Sequence, residues 1–417
     1  MSALEQTIPE GYKPTDVGVL PDDWKIKNIG DFATVSSGGT PNRKVVDYWD
    51  GDIPWVTTTL INGGDISYAN EFITSKGLDN SSARMCKAGS ILMAMYGQGK
   101  TRGKAGVLTI NASINQACAA IEVNKKTSKE YVLQTLNYMY EEIRELSNSG
   151  GQENLSSGII KSIKIPLPSK LEQTAIANAL SDVDALLTEL EMLIAKKQAI
   201  KTATMQQLLT GKTRLPQFAT YTEGSDEGKS KGTKPSELGE IPEDWDVSPL
   251  QKLTVMMTNG FVGTAKEHYT DRDDGVLYIQ GYNVLENSFK FRGIKKVTKE
   301  FHLRQSKSNL RTGDVLMVQT GDVGLTTIVP ESLAGSNCHA LIISRFKTKL
   351  FDPLYFSYYL NSQEGRARLK DIEIGTTMKH INVGDLLHFE VPVPSTIEEQ
   401  AAIATILSDM DNEIQTL

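Results

Sequence analysis

The chain has 417 residues, 39% of them hydrophobic, and a formal net charge of −7. This length allows two or three domains, and without a run of eighteen apolar residues no transmembrane helix is expected. The opening MSALEQTIPEGYKP lacks the basic and apolar regions of a secretory signal, and the acidic balance excludes only a surface that is basic everywhere.

The first stretch, 1–169, reads as a small mixed α/β domain. Strand-like runs lie at Ile53–Thr57, Ser90–Met95, Gly106–Ile110 and Ala117–Val123, punctuated by Gly and Asn. Tyr131–Leu146 reads as a helix, Ser147–Gln152 as a loop, and Ile159–Leu167 as a strand ending in Pro-Leu-Pro. Trp24 and Trp245, near the starts of the two domains, read as core residues.

From 170 to 210 the pattern changes. Leu171 to Leu209 contains no Gly or Pro, and apolar residues recur at Ile176, Val183 and Leu190, and at Ala179, Leu186, Leu193 and Ile200. The 3-4 spacing predicts one amphipathic helix with a coiled-coil seam, about 57 Å long at the usual rise. Lys197 and Thr204 are weak seam positions. Residues 211–237 read as a flexible linker, because Gly, Ser, Lys, Thr and Glu dominate Thr222–Ser236.

A second mixed domain is expected over 238–395. Its strands lie near Val276–Gln280, Val315–Thr320, Thr326–Val329 and Leu341–Phe346, and its helices at Phe351–Leu360 and Gln363–Leu369. A second helix begins in 396–417 and runs to Leu417, the counterpart of Leu190, so about half of it is expected to be absent.

The two halves are copies. Glu399–Asp411 repeats Glu172–Asp184 nearly residue for residue, and Gly232–Trp245 repeats Gly11–Trp24. Ala88–Met93 matches Thr312–Met317, and Ile165–Pro168 matches Val391–Pro394, all in the same order. Such matches mean an internal duplication. The fold class is therefore mixed α+β, with two half-subunits, each a small domain followed by a long helix. The two helices are expected to pair as an antiparallel coiled-coil spacer.

Signals for catalysis are weak. Gly97–Thr101 and Gly211–Thr213 imitate the end of a phosphate-binding loop, but Ala94 and Gln206 stand where its first glycine belongs. The five histidines are scattered, and Cys86, Cys118 and Cys338 lack metal-ligand spacing and read as buried thiols of a reducing cytoplasm. No catalytic or metal-binding residue is assigned.

Signals for nucleic-acid binding are stronger. Lys100, Arg102 and Lys104 sit on a glycine-rich turn, and Arg43 and Lys44 follow Gly38-Gly39-Thr40-Pro41, which suits contact with phosphates. Thr57, Thr58, Asn62, Gln98, Gln152 and Asn154 carry amides and hydroxyls able to read base edges. Their counterparts in the second half are Gln280, Asn283, Gln319, Thr320, Thr376, Thr377 and Lys379, with Lys296 in a basic stretch. A solvated hairpin or face is the competing reading for each.

With these marks the sequence resembles the specificity subunit of type I restriction-modification systems. The resemblance rests on Gly18–Trp24 and its copy Gly239–Trp245, on Ser37–Pro41, Ile53–Val56, Tyr96-Gly97 with Thr101–Gly103, and Asn154–Ser156. Pro168 with Glu172-Gln173, and Gln206–Gly211, are its clearest pieces. The resemblance implies two target recognition domains, each reading half of a bipartite, asymmetric site on double-stranded DNA. It implies that the helices, over 172–209 and 398–417, dock two modification subunits, with Ile176, Val183, Leu187, Leu190, Ile403, Leu407 and Met410 as candidate contacts. Two restriction subunits would join through them. S-adenosylmethionine would then reside on the modification subunits, and ATP and Mg on the restriction subunits, with no cofactor on this chain, no chemistry of its own and no membrane contact. A coiled-coil scaffold without specific DNA contact is the alternative.

Overall fold

The structure, a computed structural model, describes residues 8–97, 100–147, 154–376 and 379–417. The chain divides into two compact units, Met1–Thr188 and Glu189–Leu417. Each is built around one strand.

In the first unit that strand is Ile91–Ala94. Side chains alternate between the faces of a strand. Ile91 and Met93 accordingly enter one apolar cluster, and Leu92 and Ala94 another. Four buried residues in a row are what a strand covered on both faces needs. It lies between Cys118–Val123 and Ala105–Leu108, with Ala33–Ser37 and Asp65–Ile66 outermost. Only the pairing of Ala105–Leu108 with Asp65–Ile66 is parallel. Helix Lys129–Tyr138 and residues to Ala177 cover one face. The other face packs on a second sheet, where Trp49–Val56 lies between Glu71–Ile73 and Ala112–Ile114.

The second unit repeats the frame. Val315 and Met317 enter one cluster, and Leu316 and Val318 the other. The sheet order is Thr254–Asn259, Leu341–Phe346, Val315–Val318, Thr326–Ile328, antiparallel throughout. In its second sheet Val276–Ile279 takes an antiparallel partner, Lys295–Val297, and a parallel one, Asn337–Cys338. Trp49–Val56 takes the same two kinds of partner in the first unit. Gly38 and Gly260 occupy matching crossings between the sheets, Gly38 N–H donating to Cys118 O and Gly260 N–H to Leu341 O. A Cβ at Gly38 would overlap the Ile114 and Asn115 carbonyls, and one at Gly260 would lie 2.6 Å from Cys338 Sγ. The Gly-Gly turn therefore serves close packing of the frame.

The repeated Glu-Gln pair is a brace. Gln173 is buried; its Oε1 accepts from the Ser128 backbone N–H at 2.9 Å and its Nε2 donates to Pro168 O at 2.9 Å. Gln400 does the same with Asp352 N–H at 2.8 Å and Pro394 O at 3.1 Å. Ser128 and Asp352 are the N-caps of helices Lys129–Tyr138 and Pro353–Asn361, so one amide ties a helix start to the end of the Pro-x-Pro strand. The preceding glutamates accept from the tryptophan indoles: Trp24 Nε1 to Glu172 Oε1 at 3.3 Å, Trp245 Nε1 to Glu399 Oε2 at 3.2 Å. Trp245 is fully buried, whereas Trp24 is only half-buried, which corrects its reading as a core residue.

Three further expectations change. The helix over Tyr131–Leu146 breaks at Met139 into Lys129–Tyr138 and Tyr140–Glu145. The expected strand Ile159–Leu167 is a helix, Ser157–Ser162, capped by Ser156, and then a strand, Lys164–Leu167. The segment 211–237, read as a flexible linker, is anchored. Arg214 is buried against Asp244 and Glu399, and Tyr221 donates to Glu243 Oε1 at 2.7 Å.

One helix, Lys170–Leu209, crosses the boundary between the units. Within the second unit its inward positions are Leu190, Ile194, Lys197, Lys201, Thr204, Met205 and Leu208, a 3-4 repeat. The weak positions Lys197 and Thr204 thus belong to the seam, while Leu193 and Ile200 lie exposed beside it. The C-terminal helix, Ile397–Gln415, pairs with this stretch in antiparallel sense. Lys197 bonds Glu413 at 2.6 Å, Lys201 bonds Asp411 at 2.5 Å, and Met205 and Leu208 share a core with Leu407 and Ile403. Tyr358 also donates to Asp411, at 2.7 Å. Two seam lysines are tolerated because each has a carboxylate opposite it.

Candidate nucleic-acid interface

In each unit a later segment of the chain returns to the end of the central strand. Leu155 N–H donates to Met95 O at 2.9 Å, which brings the segment beginning at Asn154 beside the end of strand Ile91–Ala94. Ile381 N–H donates to Gln319 O at 3.3 Å in the second unit, and Thr320 and Ile374 both bridge to His380. The frame therefore anchors the described residues that flank these segments, 95 and 155 in the first unit and 319, 374 and 381 in the second. Polar groups on such turns are free to meet phosphates and base edges.

Around the first unit's loops the groups are unequal. Arg43 lies 3.9 Å from the centre of the Trp49 ring and 5.0 Å from that of Trp55, and pairs with Glu71. Its hydrogen bond to Glu71 raises the Arg43 pKa and lowers that of Glu71. The guanidinium is held in one orientation yet stays half exposed, as a pre-positioned cation should be. Lys44 and Lys100 are exposed and Lys104 half-buried. Thr57 Oγ1 lies 2.8 Å from Thr59 Oγ1, Thr58 opens a short 3-10 turn and is half-buried, and Asn62 is exposed. Asn154 is exposed. Gln98 and Gln152 lie outside the described residues. Arg102 is a correction: at 8% exposure it belongs to the packed base of the hairpin and is no surface cation. Trp55 is buried, with its indole donating to Gly39 O at 3.0 Å, and so shapes the frame.

In the second unit Gln280 Nε2 donates to the Tyr282 hydroxyl at 3.0 Å, which in turn donates to Gly293 O at 2.9 Å. Tyr282 remains half exposed beside them. Lys295 and Lys296 line a groove of about 500 Å³ with Tyr269, Thr270 and Asp271. Gln319 is half-buried, and Thr320 and Thr376 are exposed. Lys379 is mostly exposed but paired with Glu373 at 3.0 Å. Thr377 lies outside the described residues. Asn283 is a second correction. It is fully buried, its Oδ1 accepts from Gln280 N–H at 3.0 Å, and its Nδ2 donates to Lys290 O at 3.0 Å. Both ends of its amide are used, so it cannot read a base.

The candidate docking residues separate in the same way. Val183 and Leu187 are 53% and 54% exposed, and every residue from 178 to 189 is exposed. Ile176 packs on the first unit's core and Leu190 is half-buried. Ile403 and Leu407 are corrections: both are buried in the second unit's core, with Met410 packed against it, so none of the three faces outward for a partner. The amphipathic spacing was legible in the sequence, but which stripe turns inward depends on the partner helix.

The residues that sequence reasoning missed are Arg214 and exposed aromatics such as Tyr68 and Phe291. The signal for Arg214 was its place just after the helix end, at a fixed distance from the repeated motifs. Nothing in the local sequence marks the aromatics.

A family model described as the type I restriction modification DNA specificity domain matches residues 21–202 and again 242–417. The chain is 25% identical over 416 residues to the type I restriction enzyme MjaVIII specificity subunit of Methanocaldococcus jannaschii, spanning 97% of this chain and 90% of that one. It resembles the crystal structure of a type I restriction-modification S subunit from M. genitalium, with a TM-score of 0.56 at 14% identity, covering 94% and 90% of the two chains. A structure from work on complex assembly of the type I R-M system aligns with a TM-score of 0.54 at 16% identity over 95% and 92%.

Proposed function

Because the chain belongs to the type I restriction-modification specificity subunits, with its family domain present twice, we propose that its two units read two different halves of one asymmetric DNA site. The carrying observation is the contrast between frame and loops. The central strands, braces and sheet pairings repeat, while the converging loops carry different residues. A bidentate contact to a base edge is worth about 1–3 kcal/mol of discrimination, and phosphate contacts hold each unit in register. Arg43, Lys44 and Lys100 supply phosphate contacts in the first half, and Lys296 and Lys379 in the second.

The chain then does no bond chemistry. Two modification subunits, carrying S-adenosylmethionine and methylating adenine at N6, dock on the exposed helix stripe around Val183 and Leu187. Two restriction subunits, using ATP and Mg, join through them. The target adenine leaves the base stack to reach the modification subunit's pocket.

The test is single-molecule sequencing of N6-methyladenine in DNA exposed to the chain with its modification subunit. A bipartite motif is expected. Replacing residues 238–394 by the matching domain of a relative should change one half-site and leave the other intact. Change in both halves, or methylation without sequence preference, overturns the reading and favours a scaffold.

A further inference from the structure

One histidine stands among the reading candidates at the end of the second unit's central strand. Leu341 pairs with Val318, so the turn before it, His339-Ala340, lies at the same end as Gln319 and Thr320. His339 N–H donates to Ile279 O at 2.8 Å, which sets it beside Gln280 on the neighbouring strand. Ala340 N–H donates to Phe261 O at 3.0 Å and takes φ +46°, a left-handed backbone that residues with a side chain rarely adopt. The turn is thus held on both sides and carries strain, which collects at functional positions.

The ring of His339 has one nitrogen committed. Tyr278 is fully buried, and its hydroxyl lies 3.0 Å from His339 Nδ1. Among the described residues that hydroxyl has no other hydrogen-bond partner, so its proton goes to Nδ1. Nδ1 is then the acceptor, and the proton of the neutral ring sits on Nε2. Burial keeps the ring neutral by lowering the His339 pKa, and it keeps the phenol protonated by raising that of Tyr278. His339 is half-buried, and its Nε2 is neither bonded among the described residues nor shut away from solvent. A single N–H donor of fixed polarity therefore opens outward. The first unit puts Asn115 at this position: its N–H donates to Val56 O at 3.0 Å, but its Oδ1 turns back to Ala117 N–H at 3.1 Å. Trp55 stands where Tyr278 stands, and its indole goes to Gly39 O instead. The frame is shared and the group it presents is not.

Resting on the reading that the second unit recognises one half-site, we propose that His339 is a base-reading donor whose Nε2–H seeks N7 of a purine in the major groove, with Tyr278 as the positioning residue that fixes the tautomer. N7 is the acceptor that both purines show there, whereas cytosine shows only an amine donor. The ring cannot present Nε2 as an acceptor without leaving the Tyr278 proton unpaired inside the protein, which raises the penalty for the wrong base edge.

The test measures methylation by the full chain with its modification subunit. The site is first mapped by N6-methyladenine sequencing. Each purine of the second half-site other than the methylated base is then replaced by its 7-deaza analogue, which lacks the N7 acceptor. At one position the analogue should slow the native chain about tenfold, the scale of one hydrogen bond lost with its donor left unpaired. With His339→Ala the same analogue should make no difference, and the mapped motif should lose selectivity at that position alone. Tyr278→Phe lets either ring nitrogen carry the proton and should admit cytosine at that position; a hydroxyl with only a structural role would instead lower methylation of all sites equally. Hydrogen exchange over 341–346 checks that each variant stays folded. A motif that His339→Ala leaves unchanged, blurs over the whole half-site or relaxes at a pyrimidine overturns the proposal, as does 7-deaza sensitivity that persists without the imidazole. Those results leave the two-half reading standing, whereas a native chain with no bipartite motif sinks both.

Discussion

Arg214→Met should be among the costliest single changes in the second unit. The structure sets the scale. Glu399 is 1% exposed and Asp244 17%, and Arg214 itself only 10%. Without the guanidinium, Glu399 keeps one side-chain donor, the Trp245 indole at 3.2 Å. Asp244 fares better, keeping Lys231 at 2.8 Å and Ser395 at 3.1 Å. Leaving one member of a buried pair uncompensated costs about 3–5 kcal/mol, most of it falling on Glu399 here. Adding Glu399→Gln should return about 1–3 kcal/mol of that, since a neutral amide can still accept from Trp245 and no buried charge remains. The acid limb adds an independent check. Burial opposes the charged form of Asp244, but hydrogen bonds and charge from Arg214 and Lys231 outweigh it and bring its pKa from 3.8 to about 2. A depressed carboxylate stabilises above its unfolded pKa and loses that contribution as pH falls through the folded value. Between pH 3.8 and about 2 the native chain should therefore lose about 2 kcal/mol from this group. The Arg214→Met chain should lose less over the same interval, having less to lose. Urea titration read by hydrogen-exchange mass spectrometry separates the units, with 397–409 as reporter and 118–123 as control. A loss under about 1 kcal/mol, or equal loss in the control strand, would refute the reasoning.

Other expectations follow from single features. Gly211→Ala combines a left-handed backbone with overlap on Pro242, so it should cost about 2 kcal/mol or more by the same urea measurement; a neutral result would mean the helix end moves freely. Val183→Lys with Leu187→Lys alters only exposed positions, so stability should stay within about 0.5 kcal/mol while co-purification with the modification subunit is lost. Ile403→Lys should instead unfold the second unit, seen as lost protection over 341–346. Burial pushes the Cys86 thiol up to about 11 and Cys118 to about 12, so neither should react with a disulfide reagent at pH 8 until denaturant is added.

Much of the frame was legible because it is dictated by local rules. Ser90–Met95 and Leu341–Phe346 were found since each contains an apolar run, Ile91–Met95 and Leu341–Ile343, of the kind that marks a strand covered on both faces. The break at Met139 and the Ser157–Ser162 helix were not, because each depends on a cap or contact supplied by folding. Ala33–Ser37 was missed for a similar reason. ATVSS carries only one strongly apolar residue, Val35, and it is a strand because Cys118–Val123 offers it five partners. The site was harder. Polarity nominated Asn283 and Arg102 as readily as Lys44, and only burial separates a residue that holds the loop from one that projects from it. The helix seam failed in part because a lysine counts against burial in a sequence. Lys201 is buried all the same, as Asp411 lies opposite.

These errors point to one division of labour. The features that mark both halves, from the glycine crossing at Gly38 and Gly260 to the tryptophan and the Glu-Gln pair, are all spent on the frame. Gln173 and Gln400 use both ends of their amides inside the protein, and Glu172 and Glu399 face indoles. Gln173, Gln400 and Glu399 are also buried, so none of them is presented to a ligand. Selectivity must then come from residues outside the repeat, on loops that the frame delivers to one end of each central strand. A rigid frame matters because a base contact tolerates little displacement, and its energy is lost if the loop's anchor drifts. Two units can thus share a skeleton and still differ in what they read. It follows that disturbing a brace, as Gln173→Ala would, should weaken recognition of every base in one half-site together. Substituting a projecting loop residue should relax one position alone, and methylation measured on singly mutated sites separates the two patterns.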